Sequence, residues 1–464
     1  MKSVKLSCAF LAVLGTIISF SFNAWAQKGV PSYNNLRFEE DWSQFPPEGS
    51  DSVFDPIKKI ELSDNVWMSI GGELRTRFEV WNNFGFNDAN DDAFTQYRAF
   101  LHTDLHVGEH WRFFLEGRFS GLTERDLPGG RRDALDADYG DIWNAFVEAE
   151  YDVGGVNLVA RAGRQELQYG KQRLVSPLDW SNNRRIFEGG LVKLSGDDGM
   201  WSADLFVTSP VIIDRHEFNE HDDNHLFSGV YGTRKVAGSK VAGVDAYFLA
   251  LNSINDATVD EDRYTLGARV WGDVIENLSY DVEAAYQFGD VNSGDISAFM
   301  ITGEAAYTFA DLKWTPRIGL GAGYASGDDD PLDNDVETFK QLFPLGHAWL
   351  GYIDAVGRQN IINLRVMAGA WPILKTLRVN ADLHFFWLAD ADDGLYNAGG
   401  VKIRAGNGSE RDVGTELDLT VLYKVNRHTD VLIGYSHFFA GDLIDQPGPS
   451  DDIDFFYTQV GFTF

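Results

Sequence analysis

The chain has 464 residues, with 39 lysines and arginines against 70 aspartates and glutamates and a formal net charge of −31. So acidic a surface repels nucleic acid, which excludes that class of partner, while an aromatic content of 14%, with 33 Phe, 17 Tyr and 13 Trp, argues against a disordered acidic chain. The one cysteine, Cys8, lies in the first 26 residues, so the remainder holds no thiolate, disulfide or Cys-ligated metal.

Residues 1–26 read as a secretory signal. Lys2 and Lys5 make a charged start, an apolar run extends from Ala9 to about Phe22, and Ala24-Trp25-Ala26 offers small residues for cleavage. The run is shorter than the roughly 20 residues an anchor helix needs. Residues 27–65, with Pro46, Pro47 and Pro56, show no clean alternation and are expected to be a periplasmic lead-in.

From residue 66 to 464 the pattern is period two. Ile70, Gly72, Leu74, Thr76, Phe78 and Val80 oppose Glu73, Arg75, Arg77 and Glu79, and Tyr97, Ala99, Leu101, Thr103 and Leu105 oppose Gln96, Arg98, His102, Asp104 and His106. About eighteen such segments follow one another. They begin near residues 66, 92, 110, 139, 155, 184, 200, 225, 240, 262, 276, 296, 313, 360, 376, 411, 428 and 453. Odd-numbered links are mostly long and acidic, such as "GFNDANDD", "DRHEFNEHDDNH" and the stretch from Ser326 to Asn360, whereas even-numbered links such as "VGEH", "DVGG" and "VNRH" are short. A soluble sandwich would bury the charged face at several kcal/mol per ion; a water-filled lumen removes that cost. The expected fold is therefore all-β: a transmembrane antiparallel barrel of about 18 strands in the outer membrane of a Gram-negative bacterium, with long extracellular loops and short periplasmic turns. The closing alternation Phe456, Thr458, Val460, Phe462, Phe464 resembles the C-terminal signal of such barrels, and Trp67, Trp81, Trp111, Trp143, Trp314, Trp371 and Trp387 are expected to serve the interfacial girdles.

No chemistry-bearing motif for an enzyme is present: no G-x-S-x-G elbow, no H-E-x-x-H and no phosphate-binding glycine loop, and Ser436 and His437 fall on opposite faces of one strand. The chain is read as no enzyme, with no cofactor. The acid cluster Asp328, Asp329, Asp330, Asp333, Asp335 lacks the glycine and closing glutamate of an EF-hand. It fits a solvated loop that binds Ca²⁺ loosely between lipopolysaccharide headgroups better than a built metal site.

On the face opposite the apolar one lie Arg75, Arg77, Arg98, Arg112, Arg118, Arg161, Arg263, Arg269, Arg317, Arg365 and Arg378. A guanidinium grips an oxyanion through two parallel hydrogen bonds and stays charged, so these residues are candidates for an anion path. Glu73, Glu79, Asp104, Glu116, Glu148, Glu150, Asp281, Glu283, Asp382, Glu416 and Asp418 share that face, and ion pairing between the two sets is the competing reading. A basic stretch, "GRQELQYGKQRLVSPLDWSNNRR" at 163–185, stands out from the acidic background. Parity directs its Arg164 toward lipid unless a bulge at Gly163 re-aims it or it lies above the membrane. The stretch is expected to be a folded mouth segment.

That stretch resembles the G-R-Q-x-L-x-Y-G … R-L-x-x-x-x-D-W-x-N motif of the alginate-export family of outer-membrane porins, as do "LFPLGHAWLGYIDAVGRQNI", "LHFFWLADADDGLYNAGG" and "GTELDLTVLYKVNRHTDVLIGYSHFFAGDL" further on. The matching mouth-motif positions are Arg164, Gln165, Tyr169, Arg173, Asp179 and Trp180, followed by Arg184 and Arg185. The resemblance implies a monomeric barrel that passes alginate, a polyuronate, through an arginine-lined constriction gated by an extracellular loop and a periplasmic turn. The function read from both sources is an outer-membrane channel for an anionic solute, most concretely an acidic polysaccharide. The alternatives are an uptake porin for small carboxylates or oligosaccharides, and a plugged, non-conducting protein with an adhesion or ion-binding role. Its surroundings are outer-membrane lipid and lipopolysaccharide, with any periplasmic export partner, the direction of transport and the gating loop left open; the gating candidates are 171–184 and 326–360.

Overall fold

Alternation at period two builds a closed wall in the computed structural model, which describes residues 31–45 and 52–464 apart from 197, 198, 239, 257, 374 and 447. The expected signal at 1–26 lies outside these residues. Eighteen strands make the wall: β1 (Val66–Asn82), β2 (Asp92–Val107), β3 (Trp111–Leu122), β4 (Asp138–Val153), β5 (Val156–Gln165), β6 (Phe187–Gly196), β7 (Trp201–Ile212), β8 (His225–Lys235), β9 (Val241–Ser253), β10 (Glu261–Ile275), β11 (Leu278–Val291), β12 (Gly294–Thr308), β13 (Arg317–Ala325), β14 (Ile361–Ile373), β15 (Leu377–Leu388), β16 (Asp412–Lys424), β17 (Thr429–Ala440) and β18 (Ile453–Thr463). Each pairs antiparallel with its neighbours in sequence, and β1 closes the ring on β18, from Glu73 opposite Thr463 to Asn82 opposite Asp454. Closure leaves no free strand edge, the condition for a sheet in hydrocarbon. Among the described residues no helix is long and apolar enough to cross a membrane.

The burial pattern is inverted relative to a water-soluble protein. Outward Leu74, Leu101, Leu266 and Leu320 are 52–58% exposed, while inward Arg98 and Glu116 are 3% exposed. An arginine or lysine on the lipid side would cost about 2–4 kcal/mol at the bilayer midplane, so a one-residue register slip is heavily penalised.

Every observed strand begins within four residues of the position expected from alternation. The long-loop rule breaks once, because β11 and β12 are joined only by Asn292 and Ser293, a tight turn with Asn292 at φ 53°. Three of the expected girdle tryptophans turn inward instead. Trp67 shares the parity of Glu73 and Arg75 and stacks on His106 of the charged face at 3.9 Å. Trp81 shares the parity of Glu79, to which its indole donates, and stacks on Phe455. Trp143 is redirected by an irregularity in the β3–β4 ladder between Leu115 and Gly117, which adds a residue to β4 and reverses its parity.

Candidate functional site

The lumen is occupied by chain. Residues 166–186, between β5 and β6, descend into the barrel rather than standing at its entrance. Their Asp179–Ser181 backbone is bound on one side by Arg75, which donates to the carbonyls of Asp179 (2.6 Å), Trp180 (3.2 Å) and Ser181 (2.7 Å), and by Arg98, which pairs with the Asp179 carboxylate at 2.8 Å. Six residues earlier, Arg173 reaches Asp281 (2.7 Å) and Glu283 (2.9 Å) on β11. In a ring of eighteen strands, β1–β2 and β11 face one another, so this segment is a strut across the bore.

A second inward segment, 326–360 between β13 and β14, lies against the first. Phe343 N–H donates to the Leu174 carbonyl (2.9 Å) and Leu345 N–H to that of Gln172 (2.9 Å). The Ile353 amide donates to Glu416 at 2.8 Å and the Arg365 guanidinium to the Ala348 carbonyl at 3.1 Å, tying this segment to the wall. Its sharp turn at Gly351 (φ 96°) brings the backbone so close to Glu416 that an added Cβ would lie 2.3 Å from the carboxylate. The 171–184 candidate and the 339–360 part of the 326–360 candidate are thus inside the barrel and joined to each other, while residues 329–335 stay exposed.

The eleven arginines of the charged face all keep their lumen parity, and most are committed to acids. Arg77 pairs with Glu79 (2.7 Å), Arg98 with Glu73 (2.6 Å), Arg112 with Asp104 (2.7 Å) and Glu148 (3.0 Å), Arg161 with Glu148 (2.6 Å), Arg263 with Glu261 (2.6 Å), Arg269 with Asp245 (2.8 Å) and Asp281 (2.6 Å), and Arg365 with Asp382 (3.0 Å). Arg118 pairs with Asp138 and lies over the Trp143 ring. Arg75 is spent on backbone carbonyls. Arg317 and Arg378 differ: both are exposed to the bore, and among the described residues their hydrogen bonds go to Ser279 Oγ (3.1 Å) and Asn380 Oδ1 (2.9 Å).

In the basic stretch, too, charge is largely compensated. Arg184 binds Glu166 (2.6 Å) and Asp179 (3.1 Å), and Lys171 lies 3.7 Å from Glu304. Tyr169 stacks on Tyr231, its centroid 4.7 Å away, and Gln165 is fully buried at the end of β5. Arg164 stays on the outer face at the extracellular end of β5, where Glu188 (3.0 Å) and the Asn219 carbonyl (2.7 Å) hold it. The pairing of β5 runs unbroken through Gly163, so no bulge re-aims Arg164. Arg185 alone of the stretch's bases has no acid partner among the described residues: it donates to the Ser176 (3.1 Å) and Pro344 (3.4 Å) carbonyls, lies over Phe343, and burial pushes its guanidinium down to about 10. It lines a cavity of about 530 Å³ between the inward loops and the 389–411 loop, whose wall carries the bases Arg263, Lys340 and Lys402, the amides of Gln341 and Gln359, the Tyr396 hydroxyl, and the acids Asp328, Asp333, Asp335 and Asp393. Of the acidic cluster, Asp328 and Asp329 converge with Glu337 so that three carboxylate oxygens lie within 4.8 Å of one another, the one group among the described residues that could offer a cation three ligands.

The alginate-export family model matches residues 66–457. The chain belongs to the alginate-export family. No curated relative matches it by sequence. Among solved structures it is similar to OccK2 (OpdF) of Pseudomonas aeruginosa, crystallised with glucuronate, at 12% identity and a TM-score of 0.57, covering 89% of this chain and 99% of that one. It is likewise similar to OccK8 (OprE) of the same organism, at 13% identity and a TM-score of 0.56 over 86% and 98% of the two chains. OccAB1 of Acinetobacter baumannii gives 14% identity and a TM-score of 0.55 over 85% and 96%. These likenesses show the fold. Family and fold together make this alginate-export family chain an outer-membrane channel of a Gram-negative bacterium.

Residues the sequence did not single out also sit in the bore: His347, Arg358 and the segments 31–45 and 52–58. The apolar and aromatic residues of "NNLRFEEDW" at 34–42 were the available signal, since a solvated lead-in has no need of Leu36, Phe38 and Trp42.

Proposed function

We propose that the channel passes anionic, hydroxylated solutes, in size nearest to single uronates or short acidic oligosaccharides, along bases that have no acid of their own. The observation that carries this reading is Arg185, which among the described residues has no carboxylate partner, in the wall of a 530 Å³ mouth cavity where Arg263 and Lys340 are matched by Glu261 and Lys402 by Asp393. Arg317 and Arg378 continue the uncompensated charge deeper in the bore. A guanidinium that keeps its charge and lacks an internal partner favours an incoming carboxylate. The glucuronate in the OccK2 crystal is a solute of this class.

Export of the polymer alginate is the second reading, favoured by the family match; it requires both inward segments to move aside. Lipopolysaccharide contact through the acidic loops and a monomeric state complete the proposal. Reversal potentials and block in a planar bilayer test it. Anion selectivity with concentration-dependent block by glucuronate is the expected result; block by polyuronate but not by glucuronate would select the polymer reading, and cation selectivity would overturn both.

A further inference from the structure

We propose that residues 31–45 and 52–58 form a plug that closes the periplasmic half of the bore and is coupled to the inward strut. The proposal rests on the channel reading above. The segment lies across the lumen wall near its periplasmic end, and Leu36, Phe38, Trp42 and Phe45 are buried there. Phe38 sits edge-on to Phe114 (5.8 Å) and Phe146 (5.3 Å) of β3 and β4, with the Arg161 guanidinium 4.4 Å from its ring, and Arg112 donates to its carbonyl at 2.6 Å.

At the other end the segment grips the seam where β1 meets β18. Arg37 donates to the Phe464 carbonyl (3.0 Å), Phe54 packs on the Phe464 ring (4.9 Å), and Asp55 pairs with Arg427 in the turn before β17. Lys58 is fully buried and donates to the Ile70 carbonyl at 2.9 Å; Gly71 leaves the room, since a Cβ there would lie 2.8 Å from its Nζ.

Just ahead of these anchors, at Asn35, the segment touches the strut. Asn35 Nδ2 donates to Gln168 Oε1 at 2.7 Å, and Arg184 donates to the Asn35 carbonyl at 3.0 Å. Arg184 also holds Asp179, which holds Arg98. Withdrawing the segment therefore takes a partner from the strut, so the periplasmic and extracellular obstructions are not independent.

The test compares the full mature chain with a variant lacking residues 31–58 in planar bilayers, with the heat-induced gel shift reporting that the barrel is folded. A severalfold rise in unitary conductance on deletion is expected, and equal conductance would overturn the plug. Should the deletion not fold, the Asn35→Cys/Gln168→Cys pair, clean in a mature chain free of other cysteines, replaces it. Openings should then be at least tenfold rarer when oxidised than after reduction, and no difference overturns the plug. Absence of any conductance in the folded deletion variant would instead count against the channel reading itself.

Discussion

Trp180 and His347 stack with ring centroids 3.8 Å apart and planes 12° from parallel, and this contact joins the two segments that cross the bore. The Arg77 guanidinium lies 3.8 Å from the same indole, so wall, strut and second loop meet at one side chain. Loss of the stacking and cation–π contributions costs about 2 kcal/mol, roughly a 30-fold shift between joined and separated loops. Trp180→Ala is therefore expected to raise open probability by about that factor in single-channel records, and Trp180→Phe by much less. Identical gating in Trp180→Ala would show that the loops move without separating.

Arg173 holds the far end of the strut between two acids. Arg173→Met keeps most of the side-chain volume but leaves Glu283, to which Tyr247 also donates at 2.9 Å, without its cation. Removing one member of a buried ion pair costs about 3–5 kcal/mol. The urea midpoint of the detergent-folded barrel should fall, and adding Glu283→Gln should recover part of the loss. A double variant no more stable than Arg173→Met would refute the coupling.

How much of this was legible in the sequence follows from what period two can encode. It gives strand, face and order, which is why Arg98 and Glu116 fall inward and Leu101 outward as expected. It cannot encode partner choice between strands, so the commitment of Arg269 to Asp245 on β9 and Asp281 on β11 was invisible. Nor does it reach segments without period. The descent of 166–186 depends on carbonyls meeting Arg75, a long-range contact with no local signature, and Trp143 was misplaced because one extra residue in β4 resets its parity.

Arg185 and Arg263 line the same cavity, but only Arg263 has an acid beside it. A hydrogen bond to a charged group contributes about 1.5–3 kcal/mol. Arg185→Gln should accordingly weaken glucuronate block by at least about 10-fold. Arg263→Gln should change it less, because its charge is already matched by Glu261. Blocking constants for the two variants decide the matter: equal losses would mean that the cavity senses net charge and not the uncompensated guanidinium.

Lys58 makes the docking of the N-terminal segment dependent on pH. Burial pushes its ammonium down from the usual 10.5 to about 7, with Arg37 and Arg427 adding to the effect and Glu40 and Asp55 opposing it. In a released segment Lys58 would titrate near its ordinary value. Between about pH 7 and pH 10.5 the released state therefore binds a proton that the docked state does not, so docking strengthens as pH rises through this window. Below about 7 both states are protonated, and the cost of burying the charge is full and constant. His428, which accepts or donates at Ser52 Oγ (2.7 Å) and is lowered mainly by burial, acts in the same direction but below its ordinary 6.5. Tyr33, raised mainly by burial, ionises only above 10. Measurements from pH 7 to 9 isolate Lys58. If the docked segment closes the bore, conductance should fall steadily over that range, and Lys58→Met, which fills the same space without a titrating group, should flatten the profile at the closed level. A slope that survives in Lys58→Met would assign the pH dependence to another group.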